Sequence, residues 1–181
     1  MWSNVKFVPV DGANPILPEY KTKYAACADI SAHFHSGLVT SYTRKNSKIV
    51  QSVTDNIVIQ NNDRVLIPTG WRPIIPMGYH VSINPRSGLA LKNGLIVINS
   101  PGTIDGDYTD EIFILVSNIS DIPILIEEGD RIAQIEIVKN RTIETYFSVG
   151  TEKELLAHKN LSNRSGGFGH TGVHITDRDN Q

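Results

Sequence analysis

Between residues 5 and 139 the chain is a succession of short β-branched runs separated by turn formers, and this pattern leaves few folds open to it. The runs are "VKFVPV" (5–10), "CADISA" (27–32), "SKIVQSV" (47–53), "NIVIQ" (56–60), "RVLIPTGW" (64–71), "GYHVSIN" (78–84), "LIVIN" (95–99), "EIFILVSN" (111–118), "IPILIE" (122–127) and "RIAQIEIVK" (131–139). Gly, Pro, Asn or Asp stands between most of them, as in a sandwich or barrel. Some alternate, such as Val81-Ser82-Ile83-Asn84, which suits a strand with one wet face. Residues 112–116 are continuously apolar, which suits a strand covered on both faces, the second cover coming from a neighbouring subunit.

Helical signals are few. "SGLALKNG" (87–94) predicts one short helix ending at Gly94, and "TEKELLAHKN" (151–160) carries an N-cap and a capping-box Glu154. The expected fold class is all-β: a distorted, jelly-roll-like barrel or sandwich with one short helix and a flexible C-terminal arm. The expected organisation is a β domain over 1–162, with an extended hairpin insertion at 33–60, followed by a Gly-rich arm at 163–181.

At 181 residues a single domain with a sizeable core is expected. The 17 basic and 19 acidic side chains leave a net charge of −2, which gives no electrostatic case for binding nucleic acid. Cys27 is the only cysteine, so no intrachain disulfide can form and a reducing compartment fits. "MWSNVKFVPV" lacks the apolar core of a signal peptide, and no apolar run approaches membrane-spanning length. A soluble, cytoplasmic protein is expected. The Asn-x-Ser/Thr triplets at Asn118, Asn140, Asn160 and Asn163 are then chance occurrences.

The densest chemistry lies in "GTIDGDYTDEI" (102–112). A calcium loop of the EF-hand type is excluded, because position 6 counted from Asp105 is Asp110 rather than glycine. A solvated hairpin turn is the plain reading. A general base with Tyr108 as a platform beside it is the functional one. "PRSGLA" (85–90) offers guanidinium, hydroxyl and helix-start amides to an anion. "GFGHTG" (167–172) fits the dinucleotide expression G-x-G-x-x-G, but only residues 173–181 follow, too few for the helix and strand that fold requires. A Gly-rich arm whose amides wrap phosphates while Phe168 stacks on a base suits it better. The pairs His33/His35 and His170/His174 read as surface histidines, and Cys27 as a packed thiol.

Taken together, "CADISA", "PRSGLA", "GTIDGDYTDEI", "GDRIAQIEI" (129–137) and "RSGGFGHTG" (164–172) resemble, in order and spacing, the motifs of the trimeric dUTP diphosphatases (dUTPases). The resemblance spans nearly the whole chain. It implies hydrolysis of dUTP to dUMP and pyrophosphate by in-line attack of water at the α-phosphorus, removing dUTP and supplying dUMP for thymidylate synthesis. Asp105 would be the base, and Tyr108 would lie under the sugar and exclude a 2′-hydroxyl. Asn99 and the backbone of its hairpin would read uracil. Arg86, Ser87, Gly88 and Gln134 would hold the phosphates. Asp29 would place Mg²⁺ through water, the triphosphate supplying direct ligands. Phe168 would stack on uracil, with Arg164, Gly167 and Gly169 closing over the γ-phosphate from another subunit of a homotrimer.

The chain departs from the usual pattern at Asp110, where glycine is usual, and at Ala28, where an aromatic residue is usual. In the last block the arginine usually lies five residues before the phenylalanine; Arg164 lies four before Phe168, and Asn163 holds the expected place. The rival readings are a dCTP deaminase, which shares the fold, and a nucleotide sensor in which hydrolysis is incidental. Residues 33–60 would then be a partner-binding surface.

Overall fold

The computed structural model describes residues 5–35 and 37–140, together with Thr151 and Lys153. The chain divides after Thr142 into two units, and the description below concerns the first.

Nearly every β-branched run becomes a strand. In chain order they are β1 (Lys6–Pro9), β2 (Ala28–Ser31), β3 (Leu38–Tyr42), β4 (Lys48–Ser52), β5 (Asn56–Ile59), β6 (Arg64–Pro68), β7 (Trp71–Ile74), β8 (Tyr79–Asn84), β9 (Leu95–Val97), β10 (Gly102–Ile104), β11 (Phe113–Asn118), β12 (Ile124–Glu127) and β13 (Arg131–Lys139). One helix, α1, spans Ser87–Asn93. "RVLIPTGW" breaks in two, because Gly70 adopts φ +73° and turns the chain from β6 into β7. The helical signal at 151–160 lies, apart from Thr151 and Lys153, outside the described residues.

The ladders are all antiparallel. A four-stranded sheet runs β10-β8-β13-β2, and a five-stranded sheet runs β4-β3-β6-β11-β9. Two-stranded sheets β1-β7 and β12-β5 complete the set. Of the two expected forms, barrel or sandwich, the closed barrel does not form. Closure needs an unbroken circuit of ladders with a consistent stagger, whereas here the sheets remain open and separate, ending at β10, β4 and β9 and, beyond β2, at a single bridge between Glu19 and Asp29. A jelly-roll-like packing of open sheets over one core describes the chain better.

That core joins the sheets through alternate residues. Ile30, Val65, Ile67, Val81, Ile83, Ile114, Val116 and Ile135 are all buried in one cluster. Each such aliphatic side chain contributes about 1.5–3 kcal/mol on burial. The run at 112–116 is covered on one face only in the single chain. Ile112, Ile114 and Val116 point into the core, while Phe113 and Leu115 share the outer face of the five-stranded sheet with Leu66. Leu38, at 59% exposure, and Val50, at 55%, continue the apolar outer face across β3 and β4. The hairpin β3–β4 occupies the middle of segment 33–60, and β5 leaves it to pair with β12. Among the described residues, no helix is long and apolar enough to cross a membrane.

Candidate active site

Adjacent strands set three polar residues in a row. Asp29 on β2 lies opposite Gln134 on β13, and Gln134 lies opposite Asn84 on β8. Strict alternation would send Arg131 and Gln134 to opposite faces of β13. A register shift between Arg131 and Ala133 breaks the alternation: Ile132 and Ala133 are both buried, and Arg131 and Gln134 come out on the same side. Two residues beyond Asn84, Arg86 turns back over the row. Its Nε is 3.4 Å from Asp29 Oδ1, and its Nη1 donates to the Arg131 carbonyl at 2.6 Å. Arg131 Nη1 donates to Asp29 Oδ2 at 2.9 Å. Asp29, only 11% exposed at its side chain, is thus a carboxylate held between two guanidinium groups.

These groups line an open cavity of about 410 Å³ with Lys21, Thr22, Cys27 and Gln134. Lys21, itself paired with Glu19, and the two guanidinium groups leave the cavity net cationic, which favours an anion. Burial, with a smaller push from Glu136, raises the Cys27 thiol above its ordinary pKa and keeps it a neutral wall residue. Helix α1 starts at the cavity edge. Arg86 at its N-cap is extended and gives no side-chain cap, and there is no acid in the first turn. Ser87 and Gly88 are exposed there. The helix stops where Gly94 enters the left-handed region at φ +71°; a Cβ there would sit 2.9 Å from Ser120 Cβ.

A second polar cluster is built by the chain from β9 through β10. Ser100 N–H donates to the Val97 carbonyl, Ser100–Pro101 is cis, and the chain returns as β10. Asn99 is exposed at this turn, its amide nitrogen 3.2 Å from where a Cβ on Gly102 would stand, so a side chain at 102 would press on it. Asp105 follows β10, exposed, and its carbonyl accepts from Tyr108 N–H at 3.1 Å. The Tyr108 ring packs against the core, and its hydroxyl donates to the Glu111 carbonyl at 2.6 Å. Burial, then the charges of Asp110 and Glu111, raise the phenol above its usual pKa and keep it a donor.

Asp105 and the Asp29 row stand toward opposite ends of one sheet, whereas Asn99 lies beside Gly102, which pairs with Ile83 next to Asn84. Ile104 pairs with Val81, whereas the Asp29–Gln134 row meets β8 at Asn84. At ~3.3 Å per residue along β8, Asp105 lies roughly 15–20 Å from Arg86 in the same chain. No residue of the Asn99–Tyr108 cluster lines the Asp29 cavity.

A protein-family model for dUTPase matches residues 50–172. The chain is 40% identical over 156 residues to the deoxyuridine 5′-triphosphate nucleotidohydrolase of Chlamydia caviae, covering 86% of this chain and 90% of that relative. It is 48% identical over 121 residues to the enzyme of that name from Hydrogenobaculum, covering 67% and 79%.

The chain belongs to the dUTPase family.

Solved dUTPases share its fold. The crystal structure from Streptococcus mutans superposes with a TM-score of 0.60 at 24% identity, over 77% of this chain and 98% of that one. A Staphylococcus bacteriophage 80alpha dUTPase mutant with dUpNHpp gives 0.66 at 22% identity, over 94% and 99%.

Within this dUTPase-family chain, Asp29, Arg86 and Gln134 are brought together, with Ser87 and Gly88 at the adjoining helix start. Asp105 and Tyr108 are joined through the turn after β10, and Asn99 stands apart from them beside Gly102. Arg164, Gly167, Phe168, Gly169 and the His170/His174 pair lie outside the described residues. The histidines at 33 and 35 are not the free surface residues expected. They stack at 5.4 Å and are largely covered, with His33 Nδ1 2.7 Å from Glu128 Oε1 and His35 Nε2 3.5 Å from Glu111 Oε2. Among the described residues, no group of three His, Cys, Asp or Glu side chains is arranged to hold a metal. The sequence reading passed over Arg131, although it sits in "GDRIAQIEI"; nothing in its spacing says that a strand irregularity will aim it at Asp29. It also passed over Glu111, whose partners are remote in sequence.

Proposed function

We infer that this protein hydrolyses dUTP to dUMP and pyrophosphate. The observation carrying the reading is the gathering of Asp29, Arg86 and Gln134 around a cationic cavity, in a chain that belongs to the dUTPase family. Arg86 and Gln134, with Ser87 and Gly88 at the head of α1, hold the phosphates. Asp105 takes a proton from water as the water oxygen bonds to the α-phosphorus. The bond to the bridging oxygen breaks in line, and pyrophosphate leaves with the electron pair. Tyr108 lies under the deoxyribose and leaves no room for a 2′-hydroxyl, while Asn99 and its hairpin backbone read uracil.

The donor set fits magnesium of one kind only. Asp29, a single carboxylate already paired with Arg86 and Arg131, offers no all-protein cage and would suit only a hard ion that keeps its waters and takes phosphate oxygens. Asp29 would hold Mg²⁺ through water, and the ion would supply charge neutralisation at the phosphates when bound. The residues themselves supply binding and alignment, which account for much of phosphoryl-transfer catalysis.

The separation of Asp105 from Arg86 supports a site built between copies of the chain, in a homotrimer. The apolar outer face of the five-stranded sheet, with Leu38, Val50, Leu66 and Phe113 exposed, supplies surface for such contacts. In this reading residues 1–162 are the β domain. The arm at 163–181 brings Arg164, Gly167, Phe168 and Gly169 over the nucleotide of another subunit. Residues 33–60 are an insertion available to a protein partner, and the enzyme works on the cytoplasmic nucleotide pool.

The test is pyrophosphate release from dUTP, dTTP, dCTP and UTP, each with Mg²⁺. Release from dUTP alone is expected. Ammonia release from dCTP, or turnover of all four nucleotides alike, would overturn the assignment.

A further inference from the structure

The hydroxyl of Tyr108 is anchored to a main-chain carbonyl, that of Glu111, and a backbone anchor is only as fixed as the backbone itself. Residues 105–112 lie between β10 and β11 and outside both ladders. The peptide unit carrying that carbonyl is tied at one end, where its Ile112 N–H donates to the Trp71 carbonyl at 2.8 Å. The Glu111 side chain ties down the other flank. Glu111, 12% exposed at the side chain, accepts the Gly70 N–H through Oε1 at 2.7 Å and faces His35 Nε2 through Oε2. The turn at Gly70 is itself boxed in. A Cβ there would meet His33 Cδ2 at 2.6 Å, and Pro15 packs on the same side. His33 is bound to Glu128, whose other oxygen accepts the Phe34 N–H at 2.8 Å. A continuous chain of contacts thus runs from Glu128 through His33 and Gly70 to Glu111 and on to the Tyr108 hydroxyl.

We propose that Glu111 is a positioning residue: its carboxylate, bonded to the Gly70 amide and facing His35, helps hold the carbonyl that anchors Tyr108 and so sets discrimination against the ribose 2′-hydroxyl. The sugar part rests on the dUTP reading above; the bracing of Tyr108 does not. A residue of this kind acts on the sugar only through Tyr108. Its loss loosens the platform without removing the base, so it alters sugar selection and KM more than kcat. The neutral amide of glutamine can still accept the Gly70 N–H and should preserve the brace, whereas alanine cannot.

The test measures kcat and KM for dUTP and UTP in full-length wild type, E111A and E111Q. It also records ring signals of ¹³C-labelled tyrosine without nucleotide, with Y108F assigning the Tyr108 signal. E111A is expected to cut the dUTP-over-UTP preference about tenfold, the scale of one ordinary hydrogen bond, through KM and with kcat held within about twofold. It is also expected to move or broaden the Tyr108 signal, and E111Q is expected to restore both. Unchanged selectivity with an unmoved Tyr108 signal overturns the proposal, as does E111Q failing as fully as E111A. If wild type does not hydrolyse dUTP yet the Tyr108 signal moves in E111A and returns in E111Q, the dUTP reading falls and the brace stands. Should E111A not fold, H35A, which frees one carboxylate oxygen, must move the same signal; an unmoved signal overturns the proposal.

Discussion

Arg131 and Asp29 are joined at 2.9 Å across neighbouring strands, and the bond exists because β13 carries an irregularity just after Arg131. Arg86 reaches the other oxygen of the same carboxylate. The carboxylate therefore orients both guanidinium groups toward the cavity, which preorganises it for an anion.

Replacing Arg131 should separate stability from activity. Its side chain is about half exposed, so its ion pair contributes only about 0.2–1 kcal/mol to folding. Arg131→Met should lower the melting temperature by a few degrees at most, while weakening dUTP turnover about tenfold or more through a misaligned Asp29. Thermal unfolding alongside steady-state kinetics measures both. A large stability loss with intact kinetics would show that the pair serves the fold alone.

Gly94 tests the helix that presents Ser87 and Gly88. Alanine there would be strained at φ +71° and would meet Ser120 Cβ at 2.9 Å. Gly94→Ala should cost about 1–3 kcal/mol and raise KM for dUTP, because the cap must shift to make room. Denaturant titration gives the first quantity and initial rates the second. An unperturbed variant would mean that the turn yields freely.

The outer face of the five-stranded sheet offers a test of assembly. Leu66 lies on that face, opposite Thr40 on one side and Leu115 on the other. Leu66→Lys should leave the monomer folded but lower its oligomeric state in sedimentation, with activity lost in parallel. A variant that keeps the wild-type sedimentation coefficient would remove this face from the interface.

Much of this was legible in the sequence, for identifiable reasons. The runs around Ile67, Val81 and Ile114 specify strands because β-branched residues packed between turn formers have no other low-energy use. Helix α1 was readable from its glycine stop. Sheet order was not, because it is set by pairings such as β11 with β6 and β13 with β2, between residues far apart in the chain. The same limit hid Arg131 and Glu111, whose roles come from an irregular strand and from a turn at Gly70. His33 and His35 looked like surface residues because the glutamates that cover them lie at 111 and 128.

The claim that Asp105 and Arg86 meet only between copies is tested most directly by subunit mixing. Asp105→Asn and Arg86→Ala proteins would be unfolded together, reassembled and assayed for pyrophosphate release from dUTP, with each variant alone as control. Each alone should be nearly inactive. Random reassembly should restore about a quarter of wild-type sites, those joining an intact Asp105 from one copy to an intact Arg86 from the next. Activity no greater than that of the separate variants, in assemblies shown to be mixed, would mean that one chain supplies both residues.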